Sequence, residues 1–101
     1  MAFYVDGFVI PVPRRKVAAY RNLARKAAHV FIEHGALQVV EAMGDDVKPG
    51  KLTSFPQAVK LKPGEVVFFS WITYRSRRQR DAVNAKVIAD PRLAPMMAGK
   101  N

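Results

Sequence analysis

The amino-acid sequence predicts an α+β fold on a split βαβ plan, an antiparallel sheet carrying two helices on one face. Two strand-to-helix transitions point to it. Residues 66–74 read VVFFSWITY, a strand apolar on both faces, and run straight into SRRQRDAVNAKVIADPR, a capped helix. The N-terminal third has the same grammar, with FYVDGFVIPVP leading into RRKVAAYRNLARKAAHVFIEHG. Two such units imply the ferredoxin-like arrangement. At 101 residues the chain has room for a single domain, 1–101, with one modest core.

The first strand spans residues 3–12. Phe3, Val5 and Val9 lie on one face and Tyr4, Phe8 and Ile10 on the other, the pattern of a strand covered on both sides. Gly7 inside it predicts a bulge or a close backbone approach. Pro13 suits a first helical position, where its missing N–H is not needed. The helix over residues 14–34 presents Val17, Tyr20, Ala24, Ala27, Ala28 and Phe31 at spacings of three and four, a buried stripe. Gly35 ends it, and residues 36–43 form the second strand.

Residues 44–54, GDDVKPGKLTS, make a polar loop. A third strand is expected over residues 55–61, turned by Lys62-Pro63-Gly64 into the strand over residues 65–74. Ser76 caps the second helix and Gln79, three residues on, completes a capping box. The helix carries Ala82, Val83, Lys86, Val87 and Ile88 until Asp90-Pro91 stops it. The plan requires a final strand beside the first, and residues 92–101, RLAPMMAGKN, do not supply one.

Composition narrows the function classes. Half the residues are hydrophobic and a quarter charged, which is globular rather than disordered usage. No apolar run approaches the roughly 20 residues of a bilayer span, and MAFYVDGF is not a signal peptide. Without cysteine there is no disulfide framework, thiolate metal site or cysteine nucleophile. These readings make a cytoplasmic protein the expectation. Seventeen Lys and Arg against eight Asp and Glu leave a net charge of +9, which favours anionic surroundings without selecting a ligand.

Several motifs together resemble the uncharacterised YbaA-like family, a domain-of-unknown-function group within the dimeric α/β barrel superfamily. They are Tyr4-Val5-Asp6-Gly7-Phe8-Val9, Gly35-Ala36-Leu37, Asp45-Asp46-Val47 and Val66-Val67-Phe68-Phe69-Ser70-Trp71-Ile72. Tyr74, Arg80-Asp81, Asn84, Lys86 and Asp90-Pro91-Arg92 continue the likeness over nearly the whole chain. Two features depart from it: Ala42-Met43 replaces a bulkier, often tryptophan-containing pair, and the family's final strand is absent. The resemblance implies a dimeric barrel but no activity. The wider superfamily includes cofactor-free monooxygenases, haem-degrading enzymes and small-molecule binding proteins.

The residues themselves offer three candidate sites. Asp6 is a carboxylate inside an apolar strand and needs a partner or a proton. It reads either as a general base with a raised pKa or as half of a structural salt bridge. Tyr4, Ser70, Trp71 and Tyr74 would line a pocket for an aromatic or acyl ligand, or else pack the core. Arg14, Arg15 and Lys16 open one helix, while Arg75, Arg77, Arg78 and Arg80 surround the start of the other. Cations there oppose the helix dipole. If both helices begin at one end of the sheet, these charges form a single anion-binding rim, with Arg14, Arg15, Arg77 and Arg78 at its centre.

Other chemistry is disfavoured. Asp45 and Asp46 are too few carboxylates for calcium. His29 and His34, five apart on a helix, diverge by more than about 100° and share no metal. No serine triad, phosphate loop or RNA-binding signature is present. The expectation is a cofactor-free, metal-free homodimer that binds a small molecule. The alternatives are a cofactor-free oxygenase or isomerase with Asp6 as base, and weak polyanion binding through the basic rim. Nucleic acid and membrane are not expected partners.

Overall fold

A computed structural model describes residues 3–93. Strands β1 (Tyr4–Pro13) and β2 (Gln38–Met43) flank β3 (Glu65–Tyr74), which runs antiparallel to both, in the order β1-β3-β2. A 3-10 turn, Arg14–Lys16, leads into helix α1 (Val17–Glu33). A short helix α2 (Phe55–Ala58) follows the polar loop, and α3 (Arg77–Ala89) follows β3. The expected absence of a last strand concerns residues that lie largely outside those described.

Register and parity divide the sheet into two unlike faces. Tyr4 pairs with Tyr74, Asp6 with Ile72, Phe8 with Ser70, Ile10 with Phe68 and Val12 with Val66. Because side chains alternate along a strand, these even-numbered residues share one face. Helices α1 and α3 cover it. Val30 of α1 and Val83 and Val87 of α3 join Ile72 and Tyr74 in one core cluster, while Val17 and Tyr20 pack on Val12, Val66 and Phe68 in a second. Val30 was not in the expected stripe, although it follows Ala27 at a spacing of three.

The opposite face is barer. It carries Val5 and Val9 of β1, Val40 and Ala42 of β2, and Phe69 and Trp71 of β3. Phe55 from α2 stacks on Phe69 at 4.9 Å between ring centroids, and Phe69 meets Trp71 at 5.3 Å. Val5 keeps 55% of its surface exposed and Phe55 43%. An aromatic row therefore lies on a face that neither long helix covers.

The signals that end each element act as the sequence predicts in most cases. Gly35 adopts φ +118°, a conformation that disfavours any side chain. Gly64 takes φ +82° in the turn closed by Glu65 N–H donating to Lys62 O at 3.1 Å. Ser76 Oγ accepts from Gln79 N–H at 3.1 Å. The Gln79 side chain reaches back to Arg75 N–H rather than to Ser76, and donates to Gly35 O at 2.8 Å. One glutamine thus ties the end of α1 to the start of α3.

Three expectations are corrected. The strand expected over residues 55–61 is instead the helical turn α2 and its exit. Ser54 Oγ caps that turn by accepting from Gln57 N–H at 3.2 Å, and Pro56 sits in its first turn, where no N–H is needed. Gly7 makes no bulge, because β1 and β3 pair residue for residue from Tyr4 to Pro13. The two long helices do not begin at one end of the sheet. Since β1 and β3 are antiparallel, α1 starts beside Pro13 and α3 beside Tyr74, at opposite ends of a ten-residue pairing about 30 Å long.

Candidate functional site

Asp6 lies on the helix-covered face of β1, directly across from Ile72. Arg80, in the first turn of α3, donates from one Nη to both Asp6 carboxylate oxygens, at 3.1 and 3.3 Å. Its other Nη donates to Tyr4 Oη at 2.9 Å, and its Nε to Asp81 Oδ1 at 2.9 Å. The guanidinium also lies over the Tyr4 ring, 4.9 Å from its centroid, a cation–π contact. Burial works to lower the Arg80 pKa, but the charge of Asp6, with Tyr4 and Asp81, leaves it raised. Arg80 thus holds two β1 residues that lie 74 and 76 positions before it in sequence.

Beside this cluster a cleft of about 210 Å³ opens between β1 and α3. Phe8, Phe31, Ile72, Val87 and Ile88 make it mostly apolar. Its polar groups are the Asp6 carboxylate, the Asn84 amide and the Tyr74 phenol. Tyr74 is fully buried, and its hydroxyl points at Asn84 Oδ1 at a long 3.4 Å. Burial, followed by the negative charge of Asp6, pushes the Tyr74 phenol up to about 12, so it is a donor at neutral pH.

The expected ligand-binding set divides between faces. Tyr4, Ser70 and Tyr74 face the helices, whereas Trp71 lies on the barer side in the aromatic row. Ser70 is buried between Phe8 and Glu41, at 3% exposure, and does not line the Asp6 cleft. The expected anion-binding rim divides as well. Arg14 and Arg15 stand at one end of the sheet and Arg77 and Arg78 at the other, all four exposed. No acidic residue occupies the first turn of α1 or α3, so each cluster meets its helix dipole separately.

Comparison with known proteins places the chain. Residues 3–100 match the model of a family described as "Protein of unknown function (DUF1428)". The chain belongs to this family. It is 53% identical over 90 residues to "Uncharacterized protein YbaA" of Escherichia coli K12, covering 89% of this chain and 77% of that protein. The protein of the same description in Shigella flexneri matches to the same extent. DUF1428 membership thus carries no activity with it, and function rests on the geometry of this chain.

A second polar cluster in this DUF1428 chain escaped the sequence reading. Asp90, which only ends α3 in that reading, is a buried acceptor. Arg92 donates to it from the backbone N–H at 2.9 Å, from Nε at 3.0 Å and from Nη2 at 2.8 Å. His34 Nε2 sits 2.8 Å from Asp90 Oδ2. Arg92 also donates to Glu33 Oε1 at 2.8 Å, and His29 Nε2 meets Glu33 Oε2 at 2.7 Å. The Arg92 side chain first, then His34, holds the Asp90 carboxyl well below the usual range. The network joins the C-terminal ends of α1 and α3, and its outer members His29 and Arg92 border a shallow surface depression of about 420 Å³. Among the described residues no group of three or more His, Cys, Asp or Glu is placed to hold a metal ion. No helix among them is long and apolar enough to cross a membrane.

Proposed function

We propose that this chain is a small-molecule binding protein of the ferredoxin-like, dimeric α/β barrel kind, receiving its ligand in the Asp6 cleft. The observation that carries this is a carboxylate exposed to an apolar cleft and fixed there by a guanidinium. An ionised carboxylate has about four lone-pair sites, and Arg80 takes two of them. The remaining sites, with the Asn84 amide, suit a ligand that presents a hydrogen-bond donor on an apolar body. At about 30 Å³ per non-hydrogen group, 210 Å³ holds a ring with one substituent. The order β1-β3-β2, with the middle strand reversed, supports the ferredoxin-like reading. The bare aromatic face of the same sheet supports pairing with a second copy, burying on the order of 1,600 Å² in total.

Titrating the protein with phenol, benzylamine and benzoate, followed by amide NMR shifts, tests this directly. Phenol and benzylamine are expected to perturb Asp6, Asn84 and Val87 saturably, and benzoate is not. Asp6→Asn should abolish the preference for benzylamine. Equal perturbation by benzoate, or none by any probe at these residues, would remove the cleft as a binding site. Catalysis with Asp6 as base draws on the same carboxylate, and chemical change of a bound probe in the same spectra would favour it over simple binding.

A further inference from the structure

A second cavity lies on the helix-covered face, over the β2 edge of the sheet and away from Asp6 on β1. It encloses about 320 Å³ between α1 and β2, within the size range of small-molecule sites. Its floor is Ala24 and Ala28 of α1 with Val39 and Phe68 of the sheet. The alanines are why space exists: at a spacing of four they stack on one face of the helix and reach no further than a methyl group. Phe68 is held rigid below, 1% exposed and 4.6 Å from the Tyr20 ring.

The rim carries unmatched charge. Arg21 and Arg25 line the groove four residues apart on α1, where like charges repel. Among the described residues neither has a carboxylate within ion-pair distance. Arg21 rests on the Met43 sulfur at 3.7 Å and Arg25 donates to Asn22 Oδ1 at 3.1 Å. Most of their N–H donors are therefore left for another acceptor. Glu41 is the acidic residue in the lining, and it accepts from Tyr20 Oη–H at 2.9 Å. Burial first, then Glu41, raises the Tyr20 pKa, so that phenol remains a donor to Glu41.

We propose that the groove between α1 and β2 binds a single-headed carboxylate amphiphile, its head between Arg21 and Arg25 and its chain over Ala24, Ala28 and Phe68. Two guanidiniums against one carboxylate leave the lining one positive charge in excess, which matches a monoanion. Paired guanidiniums meet a carboxylate in the bidentate geometry that makes such contacts strong. At about 30 Å³ per non-hydrogen group, 320 Å³ takes about ten groups, the size of octanoate. This site is independent of the Asp6 cleft and does not rest on it.

Isothermal titration of the full chain with octanoate, below its micellar concentration, provides the test. One saturable site is expected, with octanol binding at least about tenfold more weakly because it lacks the charge-assisted contacts. The doubly substituted Arg21→Gln, Arg25→Gln protein should lose about tenfold or more in affinity. Lys60→Gln with Lys62→Gln, removing the same charge elsewhere, should lose little. Ala24→Leu fills the groove and should abolish octanoate binding while the parent's circular dichroism spectrum is kept. Absence of saturable octanoate binding would overturn the proposal. So would equal losses in the two charge-removed proteins, a comparison that tests the idea even if Ala24→Leu fails to fold.

Discussion

Phe68→Ala is expected to cost about 3–5 kcal/mol of folding stability, a large share of the roughly 5–15 kcal/mol typical of a domain. Phe68 is 1% exposed, central in β3, and packed on Tyr20 at 4.6 Å. Phe69→Ala, one residue further along the same strand, should behave differently. Its ring faces the barer side of the sheet against Phe55 and Trp71, so under the proposed pairing of two copies its loss should act first on their association. Urea unfolding monitored by circular dichroism separates the two. The Phe68 midpoint should fall at every protein concentration, and the Phe69 midpoint should fall mainly as the protein is diluted. A Phe68 variant as stable as the parent would contradict the placement of that face in the core.

Asp90→Ala carries the second large effect. It removes the acceptor of three Arg92 bonds and the partner of His34 at once. Partners left without an acceptor in a part-buried site lose hydration that nothing replaces. The fall in melting temperature should far exceed that of Asp46→Ala, whose pair with Lys48 is exposed on both sides and worth little. The pH dependence has a fixed sign. The Asp90 pKa lies below its unfolded value, chiefly through Arg92, so its contribution is complete above about pH 4 and is lost as pH falls further. Glu33, lowered by the same arginine, follows the same direction. The gap between parent and Asp90→Ala should therefore be widest near neutrality and close on acidification. A gap that widens below pH 4 would contradict this account.

Much of the fold was written locally. Ser76 with Gln79 announces α3, Gly35 ends α1, and Pro63-Gly64 turns the chain into β3. The same grammar was present for α2, since Ser54 and Gln57 stand at the spacing of Ser76 and Gln79. The apolar run around Phe55 masked it, because a short run of that kind has no period that separates strand from helix. The division of Ser70 from Trp71 was also legible, as neighbours on a strand face opposite ways. So was the separation of the two arginine clusters, because a split βαβ plan reverses the middle strand and with it the start of the next helix. What the sequence could not show were pairings across long separations. Arg80 with Asp6 and Arg92 with Glu33 depend on how α3 and the turn after it settle against β1 and α1, and no local spacing encodes that.

The bare face of the sheet is the feature on which the proposed assembly depends, and the mass of the protein in solution tests it most directly. Val5, Val9, Val40, Phe69 and Trp71 share that face, with Val5 exposed and the others half-buried, and neither long helix packs on it. Light scattering coupled to size exclusion, at micromolar concentration, is predicted to give twice the 11.3 kDa chain mass, with Val9→Glu reducing it to one chain while the helical and strand spectrum is kept. A parent protein that elutes at a single chain's mass with a native spectrum would contradict the paired-sheet account.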